Sequence, residues 1–233
     1  MDANSLTDAP ISRTSLTDSV YQKLLSAILR RELKEGAELT TVSLAKQLGV
    51  SRTPVQEALN RLAADGLVTC ETGRRAQVAR FSREDVTEIY SLRKLLEGEA
   101  AARAATRLSR EEVAEMQGAL EALLTAAAEF AYSDAGQDQW CQEALNQDTH
   151  FHDQLAIACG NRRMAEDIRR YRLLVRSFCR LVGSVENLTQ AISEHLKILN
   201  AIASQSPDEA RAAMIDHIER RQTSVIQELF PEQ

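Results

Sequence analysis

Apolar residues recur with a helical period along most of the chain. Val20, Leu24 and Ile28 return at every fourth position with Tyr21 and Leu25 beside them. This single stripe predicts an amphipathic helix that starts at the capping residues Thr17 and Asp18 and ends before Gly36. A short amphipathic segment, Val42–Leu48, follows, with Leu44, Ala45 and Leu48 on one side and Gly49 as its stop. The next helix opens within Ser51–Pro54. Either Ser51 caps it, or Thr53 does, with Gln56 closing a capping box; in both cases Pro54 lies in the first turn, where a missing N–H does no harm. Val55, Ala58, Leu59 and Leu62 form its apolar face, and Asp65-Gly66 ends it. Leu67–Cys70 and Gln77–Ala79 then read as two short strands around a Gly73-Arg74-Arg75 turn.

From Ser82 onward the pattern is helical without strands. It predicts helices over Arg83–Arg107, Arg110–Ala131, Gln139–Ala158, Arg162–Val185, Leu188–Ser204 and Pro207–Glu228. The expected architecture is mainly α. A winged helix-turn-helix of three helices and a small β-hairpin wing spans residues 16–80, and an all-α antiparallel bundle of six to seven helices spans residues 81–233. Residues 1–15 are polar, include Pro10 and show no period, which reads as a flexible tail.

Charge sharpens this division. The net charge is −6, yet residues 11–80 hold 11 Lys/Arg against 7 Asp/Glu, while residues 81–233 hold 17 against 25. One part is therefore suited to meet phosphate and the other is not. With 44% hydrophobic and 27% charged residues the composition is that of a globular protein with a real core. No apolar stretch approaches the ~18 residues of a membrane span. Cys70, Cys141, Cys159 and Cys179 show neither CxxC spacing nor disulfide-framework density, so a reduced, cytoplasmic setting is expected, with no membrane partner.

Two short helices around a tight glycine turn form a helix-turn-helix, whose second helix enters the major groove. With Val55, Ala58, Leu59 and Leu62 facing inward, Arg52, Thr53, Gln56 and Asn60 stand on the opposite side. Arginine pairs bidentately with guanine, and Gln or Asn with adenine. Ser51, Thr53 and the helix N-terminus suit phosphate. Gly73, Arg74 and Arg75 give the hairpin a basic tip. Periodicity alone leaves an ordinary helical subdomain with solvated arginines equally open. Residues 44–68, LAKQLGVSRTPVQEALNRLAADGLV, closely resemble the winged helix-turn-helix of the GntR family of regulators, and the resemblance covers roughly residues 15–80. It implies DNA contacts at Arg52, Thr53, Gln56, Gly73 and Arg74. Two positions depart from the family pattern: Gln56 stands where arginine is usual, which bears on the operator sequence, and Glu35 replaces a proline before Gly36.

The four histidines are His150, His152, His195 and His217. Asp148 and His152, four residues apart, share one helix face; His150 points to roughly the opposite one. His195 and His217 fall on two further helices. Bundles build metal sites from inward-facing ligands on several helices, but spacing alone favours unrelated histidines on partly exposed faces. The segments DTHFHDQLAIACGN (148–161), SEHLKILNAI (193–202) and AAMIDHIERR (212–221) resemble the FCD effector domain of the FadR branch of the family. That resemblance implies a divalent metal held by Asp148, His152, His195 and His217, with Zn, Ni, Mn or Fe compatible with the donors and Zn expected in purified protein. It also suggests Arg93, in SLRKLLE (91–97), as an effector-binding arginine for a carboxylate, against the plain reading of a surface arginine. Arg169, Arg170, Arg172 and Arg176 form a basic cluster for which a solvated face is the simpler reading.

An enzyme is not expected, because HExxH, a nucleophile motif and the Glu-x-x-His pair of di-iron bundles are all missing. The expected function is a sequence-specific DNA-binding regulator acting as a repressor. It would bind a pseudo-palindromic double-stranded operator as a homodimer, under control of a small carboxylate effector.

Overall fold

The stripes described above become a mainly helical structure with one small sheet. The computed structural model describes residues 13–70, 75–128, 136–179 and 184–231, and the chain divides into two units, Met1–Arg80 and Phe81–Gln233.

The first unit contains α1 (Arg13–Leu29), β1 (Glu38–Leu39), α2 (Thr41–Leu48), α3 (Arg52–Ala64), β2 (Val68–Thr69) and β3 (Ala76–Val78). Val20, Tyr21, Leu24, Leu25 and Ile28 of α1 are buried, as are Val55, Ala58, Leu59 and Leu62 of α3, and the two helices pack together. Thr40 caps α2 by accepting from the Ser43 amide, and Gly49 ends it at φ 67°. The strands form an antiparallel sheet of order β1-β3-β2, with Leu39 opposite Ala76 and Val68 opposite Val78.

Two features differ from the sequence expectation, and a third settles an alternative it left open. Helix α1 begins at Arg13, upstream of Thr17. Thr17 is no cap; it is buried, and its hydroxyl donates to Glu57 Oε2 of α3 at 2.7 Å. At α3 the N-cap is Ser51, with extended backbone, and the Thr53–Gln56 capping box does not form. Strand β1 was not anticipated. Two residues are too few to show a period, and its pairing with β3 is a long-range contact. Gly73 and Arg74 of the wing turn lie outside the described residues, as do residues 1–12.

The second unit holds, among its described residues, α4 (Arg83–Ala104), α5 (Arg110–Ala127), α6 (Gln137–Ala158), α7 (Arg162–Cys179), α8 (Val185–Ala203) and α9 (Pro207–Leu229). Full capping boxes start α4 (Ser82 with Asp85) and α5 (Ser109 with Glu112). Helix α4 is central, packing on α6, α7, α8 and most extensively on α9. Small residues allow this: Ala100, Ala101, Ala102 and Ala104 are buried, and a Cβ on Gly98 would lie 3.1 Å from Ile215 Cγ1 of α9. Trp140 Nε1 of α6 donates to the Leu123 carbonyl of α5 at 3.0 Å. Cys70, Cys141 and Cys159 are free thiols. No helix of the described residues is long and apolar enough to cross a membrane.

The α6–α7 corner depends on Gly160. Its φ is +69°, and a Cβ there would fall 1.5 Å from Arg107 Nη1, which donates to the Cys159 carbonyl at 2.6 Å. Gly160→Ala therefore combines backbone strain with displacement of a hydrogen-bonded guanidinium. Urea denaturation should show a loss of about 1–3 kcal/mol, and a loss below half a kcal/mol would contradict this account of the corner.

Candidate metal centre and nucleic-acid interface

Helix α6 places Asp148 and His152 one turn apart, α8 supplies His195 and α9 supplies His217. One donor atom from each lies within 4.8 Å of all the others. His195 Nε2 is 3.3 Å from His217 Nε2 and 3.6 Å from Asp148 Oδ1, and His152 Nε2 is 3.8 Å from the same oxygen. Donors bound at about 2.1 Å around a tetrahedral ion stand roughly 3.4 Å apart, and the separations of 3.3, 3.6 and 3.8 Å approach that spacing. His150 is exposed and takes no part.

The hydrogen bonds behind the imidazoles point the same way. His217 Nδ1 donates to Glu194 Oε2 at 2.8 Å, which leaves the Nε2 lone pair facing the cluster. Glu97 Oε2 stands 2.5 Å from His152 Nδ1, close but out of line for a hydrogen bond, and His152 Nε2 has no hydrogen-bond partner. His195 is held by stacking on Phe151, with ring centres 4.0 Å apart and planes 17° apart, and its Nδ1 is also unbonded. All three histidines are at most 2% exposed. Burial pushes the His152 and His195 pKa values well below the usual imidazole range, and it lowers His217 despite the opposing pull of Glu194. Enclosure alone would raise the Asp148 carboxyl, but the Arg172 guanidinium overrides it and holds the group well below the usual carboxylate range. Neutral imidazoles and an ionised carboxylate are the protonation states that metal ligation requires.

A second ring of charge surrounds these groups. Arg93 Nε of α4 donates to Glu97 Oε1 at 2.6 Å, and both side chains are 2–3% exposed. Arg172 of α7 donates through Nη2 to Asp148 Oδ2 at 2.5 Å, with Nη1 4.0 Å from Glu97 Oε2. Neither arginine is a surface residue, which corrects the solvated-face reading for Arg172 and the surface alternative for Arg93. Arg169 and Arg170 are exposed, the former 3.8 Å from Asp153. A signal for Arg172 was present in the sequence: Ala165, Ile168, Arg172 and Val175 recur at helical spacing, and all four are buried. Glu194 carried no such signal, because its role arises from a neighbouring helix.

In the first unit, Ser51, Arg52, Thr53, Gln56 and Asn60 are all exposed along the start and outer face of α3. Gln56 is tied at both ends: Thr41 Oγ1 of α2 donates to its Oε1 at 2.9 Å, and its Nε2 donates to Asn60 Oδ1 at 3.0 Å. Arg75 at the wing base pairs with Glu38 of β1 at 2.6 Å and stays exposed. Tyr21 of α1 donates to Asp65 Oδ2 at 2.7 Å, and Arg61 of α3 lies 4.3 Å from the Tyr21 ring centre. These contacts fix the angle at which α3 leaves the core.

The FCD domain family matches residues 88–220, and the family of bacterial regulatory proteins named gntR matches residues 16–78. The chain belongs to the GntR family. It is a GntR transcriptional regulator with an FCD domain, not an enzyme. It is similar to the probable D-xylose utilization operon transcriptional repressor of Paenarthrobacter nicotinovorans, at 28% identity over 94% of this chain and 91% of that one. It is likewise similar to the Nta operon transcriptional regulator of Aminobacter aminovorans, at 28% identity over 83% and 87% of the two chains. Among solved structures, E. coli McbR/YncC shares the fold with a TM-score of 0.74 at 24% identity, over 92% of this chain and 98% of that one. A putative GntR regulator from Rhodococcus sp. RHA1 does so with a TM-score of 0.69 at 23% identity, over 94% and 100%.

The Arg93–Glu97 pair gives this GntR regulator a sharp structural test. Glu97→Ala would remove a buried carboxylate that pairs with the Arg93 guanidinium, and thermal or urea unfolding should report a loss of about 3–5 kcal/mol. A variant within 1 kcal/mol of the wild type would mean that Arg93 finds another partner.

Proposed function

We propose that the protein is a metal-containing, effector-responsive repressor that binds a pseudo-palindromic operator as a homodimer. The observation that carries this reading is the convergence of three buried imidazole Nε2 atoms and the Asp148 carboxylate on one small volume. A cation among these donors would give the unpartnered His152 Nε2 and the ionised Asp148 carboxylate a common partner. Asp148, His152, His195 and His217 would hold the ion, which supplies a fixed positive charge for an anionic ligand. Four protein donors suit Zn, Ni, Mn or Fe, with Zn expected in purified protein. A small carboxylate bound in this unit shifts the population of DNA-competent dimers in proportion to its differential affinity for the two states.

On the DNA side, Arg52, Gln56 and Asn60 read base edges. Ser51, Thr53 and the wing residues Gly73, Arg74 and Arg75 meet the backbone or minor groove. Two-fold symmetry places two half-sites about 34 Å apart, or a multiple of that spacing. The repressor assignment is supported by the similarity to the Paenarthrobacter nicotinovorans protein, a probable repressor, and a cytoplasmic setting follows from action on DNA.

Two measurements test the halves separately. An operator is first selected from random duplexes, and binding is followed by fluorescence anisotropy at fixed salt. Arg52→Ala should weaken binding by about 1–3 kcal/mol and flatten the preference at one base pair; unchanged affinity and selectivity would remove Arg52 from the reading set. Elemental analysis of untagged protein should give about one divalent ion per chain, and His195→Ala should lose both the ion and several degrees of melting temperature. A fully metallated, equally stable His195→Ala protein would overturn the ligand set.

A further inference from the structure

Three side chains on the outer face of the first unit form one directional chain of hydrogen bonds. The hydroxyl of Thr41, the first residue of α2, donates to Gln56 Oε1 at 2.9 Å, and Gln56 Nε2 donates to Asn60 Oδ1 at 3.0 Å. Gln56 and Asn60 stand one turn apart on α3 and are exposed, while Thr41 is half-buried. A side-chain amide carries one acceptor oxygen and two N–H donors. Here each oxygen is taken by the donor before it in the chain. What this leaves over is the second N–H of Gln56 and the N–H pair of Asn60.

That polarity bears on which base the pair reads. In the major groove adenine shows its N7 acceptor beside the N6 amino donor, so one amide reads it with oxygen and N–H together. Guanine shows two acceptors, N7 and O6, and no donor. Oxygens engaged by Thr41 and Gln56 are poorly placed to receive the adenine amino group, and outward N–H groups oppose it. The same N–H groups match both guanine acceptors. Thr41 starts the chain from a different helix, so α2 sets the orientation of an amide on α3. Without that hydroxyl the Gln56 amide is free to turn over and exchange its oxygen for its nitrogen.

We propose that Thr41 is a positioning residue for operator recognition. It orients the Gln56 and Asn60 amides so that they present N–H groups to guanine and disfavour adenine. This revises the base expected for Gln and Asn from residue type alone. The assignment rests on the reading of α3 as the base-reading helix, and it names the base that this face takes.

The test uses full-length protein. Operators are selected from random duplexes separately by the wild type, Thr41→Val, Thr41→Ala, Thr41→Ser and Gln56→Ala, and anisotropy titrations at fixed salt then compare single base-pair replacements. The position whose preference Gln56→Ala alters should be a guanine in the wild-type operator. Adenine there should weaken wild-type binding at least about tenfold. Folded Thr41→Val or Thr41→Ala should narrow that ratio to within about threefold and keep the wild-type preferences elsewhere, whereas Thr41→Ser, which retains the hydroxyl, should keep the full ratio. Wild-type discrimination in folded Thr41→Val and Thr41→Ala would overturn the proposal, as would adenine at the Gln56-dependent position. A Gln56→Ala protein with unchanged preference at every position would remove Gln56 itself from the reading set, and the role of Thr41 with it.

Discussion

Glu97 occupies the place where the Arg93 guanidinium on its own helix, the neutral His152 imidazole of α6 and the Arg172 guanidinium of α7 meet. An isolated buried carboxylate is strongly unfavourable, and so is each guanidinium alone; together they are tolerated because each answers another. This mutual dependence ties α4 to α6 and α7 more specifically than apolar contact does. Alanine and glycine along α4 let α9 come close, and the packing of α8 on α9 brings His217 to His195. Glu194 repeats the arrangement on the far side, between His217, Arg220 and Arg221. The donor set is thus held by carboxylates on two sides and by the Phe151 ring on the third.

Much of this was legible before any coordinates. The apolar stripes located most helices to within a few residues, because a four-residue recurrence such as Val20, Leu24 and Ile28 has one structural meaning, but Val185, expected to close α7, opens α8. Asp148 and His152 were placed on a common face by the same geometry. Their meeting with His195 and His217 was not legible from spacing, since it depends on how three helices pack; only the resemblance of the surrounding segments supplied it. Arg172 was misjudged because a run of arginines reads as solvated unless each position is weighed against the apolar stripe. Thr17 reads as a cap from its type alone, yet a long-range partner, Glu57, claims its hydroxyl. Strand β1 exists only because β3 is beside it.

The small unit shows the same contrast between local and long-range information. Gly49 at positive φ and the buried face of α3 follow from sequence rules, whereas the tether between Tyr21 and Asp65 could be found only in three dimensions. That tether joins α1 to the last turn of α3, so the exposed start of α3 is presented from a helix anchored at its other end.

The bond from Thr41 to Gln56 has a consequence for how such regulators diverge. The Gln56 amide is shared between α2 and Asn60, so its orientation belongs to three side chains at once. A change at position 56 strands the Thr41 hydroxyl, and a change at 41 releases the amide. Across descendants of this chain, drift at one position should therefore be followed by drift at the other. Positions 41, 56 and 60 would be inherited as a linked trio, and new operator preferences would arise in coordinated steps more often than by a lone replacement on the outer face of the helix.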